Sequence, residues 1–515
     1  MTQSKEANVF AIHGAEPEVL AYAMAKYSRS SLSMKESIAE ISSQKASDFL
    51  NTFYFQYGHR SIADLAHVPL ALEGISLLAA IEVEDEQRWD GQERSTRYQD
   101  FSKREVHVPE TFDHKELAVY HRGINELFDG YDELFRATEQ RFKAENPMPE
   151  GMDPAAYKRT IRARAFDVAR ALLPMATLTS VGQITSARTL EGQISRMLAS
   201  PYLEVREIAD KIKQAAIVPA FRADEESLSD AIDEVSGYIP PEATKALREQ
   251  IVRSAALAPT LVKHTEPDTF RGRIAAIARD YLEDMELQSP EIRRQAVETT
   301  WSRPEETETE IIATILYEHS QYSYLFLHGW VTTWSCDERA AFLASVLAAR
   351  GKHDELPRAF RTGGIIFDIR MDIGGFRDMH RHRRTNQFFK KYGAGGVRIT
   401  ALDDGSAQQQ FIYNGVMRRA TAAYHELRNL LAEQNKPVVD ADYLLPLGTE
   451  HRFLMKMNPA EAAYIAELRT QPAGHISYRR VAWALYQALR YGAPSFDGIA
   501  DRVIDPNHAI DFFKR

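Results

Sequence analysis

Residues 367–384 read FDIRMDIGGFRDMHRHRR, a stretch that combines the pattern of a strand with that of a helix. Phe367, Ile369, Met371 and Ile373 alternate with polar residues, as expected of a strand with one buried face. The Gly-Gly pair that follows predicts a turn, because glycine adopts backbone conformations that other residues avoid. The stretch therefore predicts a strand, a turn and then a helix.

The predicted helix ends in a cluster of positive charge. It would carry Asp378, Arg381 and His382 on one face, at positions i, i+3 and i+4. Residues 381–384 add three arginines and one histidine within about one helical turn. Such a cluster favours an anionic partner, and a phosphate-bearing ligand is the simplest choice. A solvated basic helix end is the alternative interpretation.

The composition is that of a globular protein with room for two or more domains. The chain has 515 residues, a formal net charge of -10 and one cysteine, Cys336. An acidic balance argues against a protein that coats nucleic acid, since that task requires a basic surface. A single cysteine excludes an intramolecular disulfide framework, fits a reducing cytoplasmic location and is interpreted as a core residue. The sequence suggests no metal site and no membrane span, since the longest apolar tract, residues 68–81, is short and contains Glu73.

Two landmarks recur in the same order in the two halves of the chain. The strand-and-helix pattern appears at residues 68–85 and again at 367–384. The motif ARALLPM at residues 169–175 is matched in the C-terminal half by ADYLLPL at residues 441–447. A tandem duplication explains this order better than chance does.

The duplication predicts an α+β protein with two tandem domains of like topology, packed as a pseudo-dimer. The predicted domains span residues 1–235 and 306–515. Prolines at high density between them, in residues 236–305, predict a connector of short helices. Further pairing into a homodimer of the tandem chain is compatible with this organisation.

The motifs resemble those of the flavin-dependent thymidylate synthases, whose signature reads RHRxxSxNExSxRY. The C-terminal half has the opening RHR at residues 381–383 but lacks the SxRY ending. The N-terminal half has DEQ at residues 85–87 in place of RHR, yet ends in ERSTRY at 93–98. Residues 58–61, GHRS, resemble another family motif. Each half keeps what the other has lost.

The resemblance implies two copies of the family fold and a site composed from both halves. It implies conversion of dUMP to dTMP, with FAD as cofactor and with methylenetetrahydrofolate and NAD(P)H as co-substrates. The residues implied to act in catalysis are Arg381, Asp378 and Ser95. Those implied to bind the substrate are Glu93, Ser95, Arg97, Arg170, Arg381 and Arg469. Those implied to bind the cofactor are Ser28, His59, Ser61, Gln92, Arg188, Arg381, His382, Arg383 and Asn458.

The second possible site is predicted to be inactive. It would combine Asp85, Glu86 and Gln87 with Lys390 and Asp442, and acids at phosphate-facing positions repel a nucleotide.

Two questions stay open at this level. Many family members have glutamine where this chain has Asp378, so either the substrate base differs from uracil or Asp378 pairs with Arg377 or Arg381. The split signature also allows a non-catalytic relative that binds a nucleotide or flavin without making thymidylate.

Overall fold

A computed structural model describes residues 10, 12, 14–26, 33–40, 50, 60–101, 103–252, 254–263, 265–270, 272–274, 276–277, 297–301, 304–350, 356–390, 392–393, 405–508 and 511–513. The chain divides into two compact units. The first unit comprises Met1–Glu73, Arg88–Glu93 and Ser180–Glu286, and the second comprises Gly74–Gln87, Arg94–Thr179 and Leu287–Arg515. The second unit thus contains segments from both halves of the sequence, and the domain boundaries at residues 235 and 305 stay a prediction.

Helices and strands are mixed along the chain, which makes the protein α+β as expected. The strands are β1 His67–Ser76, β2 Asp90–Glu93, β3 Leu178–Ser186, β4 Val297–Trp301, β5 Ile365–Asp372, β6 Asn386–Phe389 and β7 Glu450–Met457. The helices before residue 300 are α1 Pro17–Lys26, α2 Met34–Glu40, α3 Leu77–Glu84, α4 His114–Glu145, α5 Pro154–Ala169, α6 Ala187–Leu198, α7 Leu203–Ile217, α8 Glu225–Ser236 and α9 Pro241–Ile251. Those after it are α10 Pro304–Glu318, α11 Tyr324–Thr332, α12 Cys336–Ala348, α13 Ile373–His380, α14 Ala407–Glu433, α15 Pro459–Arg469 and α16 Ile476–Gly492.

The two halves build sheets of the same topology. The strand order is β1-β3-β2 in one sheet and β4-β5-β7-β6 in the other, so β4 is an additional edge strand. Asp90 lies opposite Ile184 in the first sheet, and Asn386 lies opposite Lys456 in the second. Asp90 stands at the same distance after DEQ as Asn386 does after RHR. Ile184 likewise stands at the same distance after its Leu-Pro motif as Lys456 does after the other. The two sheets therefore share the register of this strand pair. The like topology predicted from the repeated landmarks is confirmed.

The connector predicted at residues 236–305 is helical only in part. Helix α9 begins at Pro241 with proline in its first turn, where the missing N–H is not needed. At the other end, β4 pairs antiparallel with β5, with Val297 opposite Ile369. A strand therefore lies inside the stretch expected to hold short helices.

Strand β5 confirms the alternation predicted from the sequence as far as Met371, whereas Ile373 lies in helix α13 instead of the strand. Ile365, Phe367, Ile369 and Met371 are all buried, while the residues between them are partly exposed. The side chains of alternate residues point to opposite faces of a strand, so this pattern buries one face of β5.

The glycine pair after β5 has a different role from the predicted turn. Helix α13 begins at Ile373 without a separate turn, and the Asp372 side chain caps it by accepting from the Gly375 N–H at 2.7 Å. A Cβ atom on Gly375 would lie 2.8 Å from Ser477 Oγ. Glycine is thus required here by close packing against α16.

Helix α13 also ends earlier than the charge pattern suggested. Its last residue is His380, and Arg381 and His382 lie in the turn that follows. The prediction of one helical face carrying Asp378, Arg381 and His382 is therefore wrong. The His382 N–H donates to the Met379 carbonyl, which closes a tighter turn and ends the helix.

The two Leu-Pro motifs contact each other within the second unit. The Met175 N–H donates to the Leu445 carbonyl, and the Leu447 N–H donates to the Leu173 carbonyl. Each bond is the counterpart of the other when the two motifs are aligned. A second reciprocal pair joins Ala176 to Tyr443 and Gly448 to Ala171. The motifs are therefore related by a local two-fold axis.

Helices α4 and α14 of the second unit pack against each other in antiparallel directions. A Cβ atom on Gly123 would lie 3.2 Å from Ala423 Cβ, and one on Gly130 would lie 2.5 Å from Val416 Cγ2. Near the other end, the Gln409 side chain donates to Thr138 Oγ1 at 2.7 Å. Glycines on α4 let the two backbones approach closely.

Two further findings concern single features. Cys336 is exposed at the start of α12, so its interpretation as a core residue is wrong. Among the residues that the structure describes, no helix combines the length and apolar composition needed to cross a membrane.

Candidate functional site

A buried ion pair joins a turn to a helix in the second unit. Arg97 lies in the turn after residue 93, and the Ser95 hydroxyl accepts from its backbone N–H at 3.2 Å. The Arg97 guanidinium donates to both carboxylate oxygens of Asp167 on α5, at 2.6 and 3.1 Å. It also donates to the Tyr478 hydroxyl at 3.0 Å. This two-pronged geometry fixes the plane of the guanidinium.

Arg170 and Asp378 extend this ion pair into a chain of alternating charges. Arg170 follows α5 directly, and its Nη2 donates to Asp378 Oδ2 on α13 at 3.3 Å. Its Nε lies 3.7 Å from Asp167 Oδ1. The Thr96 hydroxyl lies 3.4 Å from both Arg170 Nη1 and Arg377 Nη1. Residues from distant parts of the sequence thus meet in one cluster.

Both aspartates of the cluster are ionised at neutral pH. Burial by itself would raise the pKa of Asp167, but Arg97, His475 and Arg170 outweigh it and lower that pKa to about 2. Burial likewise opposes ionisation of Asp378, and the guanidiniums of Arg170 and Arg381 hold its pKa well below the usual value. The cluster therefore carries fixed charges of both signs.

Arg381 lies at the accessible edge of the cluster. Its Nε is 4.0 Å from Glu84 Oε2 and its Nη1 is 4.0 Å from Asp378 Oδ1. One third of its side chain is exposed, whereas Arg170 is buried. Arg381 can therefore reach a bound ligand, and Arg383 is also partly exposed in the same turn.

His382 connects the cluster to α15. Arg469 Nε donates to His382 Nε2 at 2.7 Å, and Glu461 Oε1 lies 3.8 Å from His382 Nδ1. Burial lowers the pKa of His382, with Glu461 opposing and Arg469 reinforcing that effect. The imidazole is therefore neutral near pH 7.

An acidic group of residues occupies the equivalent positions when the two copies of each repeated motif are aligned. Aligning DEQ with RHR relates Asp378 to Glu82, Arg381 to Asp85 and Thr96 to Tyr392. Aligning one Leu-Pro motif with the other relates Arg170 to Asp442. Burial raises the pKa of Tyr392 well above its usual value, and the carboxylates of Glu82, Asp442 and Asp85 raise it further. Asp85 and Asp442 thus stand where the first cluster has Arg381 and Arg170, while Glu82 and Asp378 are both acids.

Two regions of the chain match one known protein family. The family model described as thymidylate synthase complementing protein matches residues 11–220 and 260–495 of the chain. The chain belongs to this family of flavin-dependent thymidylate synthases. Two separate matches in one chain agree with the tandem arrangement of the sheets.

Several relatives of this family member extend over nearly the whole chain. A UPF0159 protein of Chlamydia pneumoniae is 25% identical over 95% of this chain and 90% of its own length. A UPF0159 protein of Thermoplasma acidophilum is 22% identical over 92% of this chain and 93% of its own. Among solved structures, the UMP/dUMP methylase PolB from Streptomyces cacaoi, bound with 5-Br dUMP, is 14% identical and covers 41% of this chain and 98% of its own, with a TM-score of 0.31. Overlap at that TM-score carries no weight for fold or function.

The structure places the other residues implied by the family resemblance as follows. In the first unit, Gln92 is exposed and Glu93 half-buried in β2, Ser61 is exposed, and Arg188 Nη1 donates to Asp64 at 2.9 Å. In the second unit, Asn458 caps α15 by accepting from the Glu461 N–H at 3.0 Å. Ser28 and His59 lie outside the described residues. Within the described ranges, no group of three or more His, Cys, Asp or Glu residues is arranged to hold a metal ion.

Sequence reasoning missed several residues of the cluster. Asp167 stands three positions before Arg170, and this spacing on one helical face was an available signal. Tyr478 and Glu461 gave no such signal, because they meet their partners only through the fold. His475 is buried near Asp167, and its Nδ1 caps α16 by accepting from the Ser477 N–H at 3.2 Å.

Proposed function

We propose that this protein methylates dUMP to dTMP in a flavin-dependent reaction, at one site built from both halves of the chain. The supporting observation is the convergence of Arg97 and Arg170 from the N-terminal half with Asp378 and Arg381 from the C-terminal half. These contacts all lie within the second unit. Methylenetetrahydrofolate would donate the one-carbon unit and NAD(P)H the reducing equivalents.

The cluster suits a nucleotide monophosphate, which carries nearly two negative charges. Planar guanidinium groups bind such oxygens with two donors each, and buried carboxylates fix the orientation of those groups in advance. Asp167 holds Arg97 in this way, while Asp378 holds Arg170. The more exposed Arg381 would contact the ligand directly and stabilise negative charge on the ring oxygens.

The residues in the second unit fit part of the FAD that the family implies. Arg383 is a partly exposed guanidinium that suits a diphosphate, and the capping role of the Asn458 carbonyl oxygen leaves its amide group to donate. His382 is buried and its Nε2 accepts from Arg469, so it fits the FAD site as a supporting residue behind these groups rather than as a charge. When bound, FAD would supply the redox chemistry of the methyl transfer.

The acidic counterpart supports one functional site per chain. Asp85 and Asp442 would repel a phosphate at the positions where Arg381 and Arg170 favour it. We also propose that the two halves pack as a pseudo-dimer. The reciprocal hydrogen bonds between the Leu-Pro motifs support this arrangement.

The decisive experiment measures binding and turnover with purified protein. We expect yellow protein with flavin absorbance, or protein that takes up added FAD, and formation of dTMP from dUMP when methylenetetrahydrofolate and NAD(P)H are present. Arg381→Ala should abolish dTMP formation, and Arg490→Ala, a change in a surface pair with Asp497, should leave it unchanged. Binding of dUMP without turnover would support the non-catalytic relative. The absence of both flavin and dUMP binding would reject the proposal.

A further inference from the structure

Arg469 stands out in the cluster because its donors are only partly used. Its Nε donates to His382, and its guanidinium lies 5.3 Å from the centre of the Tyr478 ring. In the part of the chain that the structure describes, its Nη atoms have no hydrogen-bond partner and no carboxylate lies within ion-pair distance. The residue is half-buried, so part of its side chain is accessible to a ligand.

The bond from Arg469 fixes the protonation of His382. A guanidinium Nε always carries its hydrogen, so His382 Nε2 must be the acceptor and must lack a proton. The imidazole proton then lies on Nδ1, which faces Glu461 Oε1 at 3.8 Å. Glu461 and Arg469 both lie on α15, about two turns apart, and each approaches one ring nitrogen of His382. Glu461, His382 and Arg469 therefore form a chain in which each group orients the next.

We propose that His382 is a positioning residue, which holds Arg469 so that its Nη atoms meet an oxygen of the bound nucleotide. This inference rests on the proposed function for the identity of the ligand. A neutral acceptor is essential, since an imidazolium would repel the guanidinium and lose the lone pair that receives its hydrogen. The charged and titratable groups facing His382 are Glu461, Arg469 and Asp378, with the Tyr464 ring at 6.0 Å.

A double-mutant cycle on dUMP affinity, measured by calorimetry at pH 7.5, tests this role. His382→Phe and Arg469→Ala should each weaken binding by roughly 10- to 100-fold. The double variant should bind no more weakly than Arg469→Ala alone, because His382 would act only through Arg469. His382→Gln, whose carbonyl oxygen can still accept from Nε, should restore most of the affinity. Additive losses in the double variant, with melting temperatures near that of the wild type, would overturn the proposal.

The pH profile provides a second readout. As the pH is lowered, protonation of His382 removes the acceptor, so the affinity of the wild type for dUMP should fall. His382→Gln should lack this decrease in affinity. The phosphate of dUMP titrates near pH 6 in both proteins, so the difference between the two profiles isolates His382. Identical profiles would contradict the positioning role.

A ligand-free measurement separates this inference from the proposed function. Nitrogen NMR of selectively labelled histidines should show His382 protonated at Nδ1 near neutral pH, with an Nε2 signal that shifts in Arg469→Ala. If dUMP fails to bind but this tautomer is found, the choice of nucleotide is wrong and the Arg469 arrangement stands. A proton on Nε2 would overturn the inference even if dUMP binds.

Discussion

At the scale of single residues, buried carboxylates determine what the arginines can do. The sequence left open whether Asp378 contacts a base or pairs with an arginine. The structure favours pairing, with Arg170 as the nearer partner at 3.3 Å and Arg381 at 4.0 Å. An ionised Asp378 held in this way orients guanidinium groups that would otherwise repel each other.

Removing the charge of Asp378 should therefore destabilise the fold. Asp378→Asn removes the nearer of the two counter-ions of the buried Arg170 and leaves only Asp167, at 3.7 Å. Breaking one partner of a buried pair costs about 3–5 kcal/mol. Asp497→Asn provides a control, because Asp497 pairs with Arg490 at the surface and such pairs contribute only about 0–1 kcal/mol. Urea denaturation at pH 7 measures both free energies of unfolding. Equal costs for the two variants would contradict the assigned burial and pairing.

The buried His451 makes a prediction about acid stability. Burial and the nearby His380 lower its pKa from 6.5 to about 4, so the folded state keeps it neutral. The unfolded chain takes up a proton below pH 6.5, and the free energy of unfolding should fall by about 3 kcal/mol between that pH and about 4. His451→Phe, which preserves packing against Phe376 and Tyr392, should remove this share of the pH dependence. The exposed His508→Asn should not change it.

At the scale of elements, the main features of the fold are the helix pair α4 and α14 and the two sheets. Helix α4 is capped by Asp113 together with Glu116, and α14 by Ser406 together with Gln409, so both begin at defined residues. Glycines on α4 then set how closely the pair can pack. At this separation of α4 and α14, the side chain of Val416 leaves no room for an added methyl group at Gly130.

Two glycine substitutions should therefore have opposite effects on stability. Gly130→Ala places a methyl group 2.5 Å from Val416 and should cost roughly 1–3 kcal/mol. Gly192→Ala lies within α6, where no atom lies within 4 Å of the added Cβ, and should stabilise by about 0.5–1 kcal/mol. Thermal and chemical denaturation distinguish these signs. A stabilising Gly130→Ala would show that the two helices lie further apart.

At the scale of the whole molecule, duplication has produced two copies that differ in charge. Both sheets keep the same strand order and register, so the fold tolerated divergence of the side chains. One set of equivalent positions carries Arg170 and Arg381, and the other carries Asp442 and Asp85. Specialisation of a single site is the simplest consequence.

Calorimetry with dUMP should then count one nucleotide per chain. Arg381→Ala should weaken binding by roughly 10- to 100-fold through loss of charge-assisted hydrogen bonds. Arg97→Lys, which keeps the charge but loses the two-pronged bond to Asp167, should also weaken it. Asp85→Ala should have no effect. Two equal sites per chain would show that the acidic counterpart still binds nucleotide.

The sequence alone determined the features that follow from local pattern and repetition. Alternation at Phe367, Ile369 and Met371 specified a strand with one buried face, because side chains alternate along any strand. Repeated landmarks specified two copies of one topology. The split of the RHR and SxRY motifs also predicted that Arg97 and Arg381 would belong to one site.

Only the tertiary structure decided which charges neutralise which. The sequence did not show which arginines would neutralise Asp167 and Asp378. Their low pKa values arise because the fold brings guanidiniums from distant segments beside these buried carboxylates. The end of α13 at His380 likewise followed from the turn that places His382 against Arg469, overriding the helical spacing read from the sequence. Periodicity reports what each segment buries, whereas ion pairing depends on distances between segments that only the fold sets.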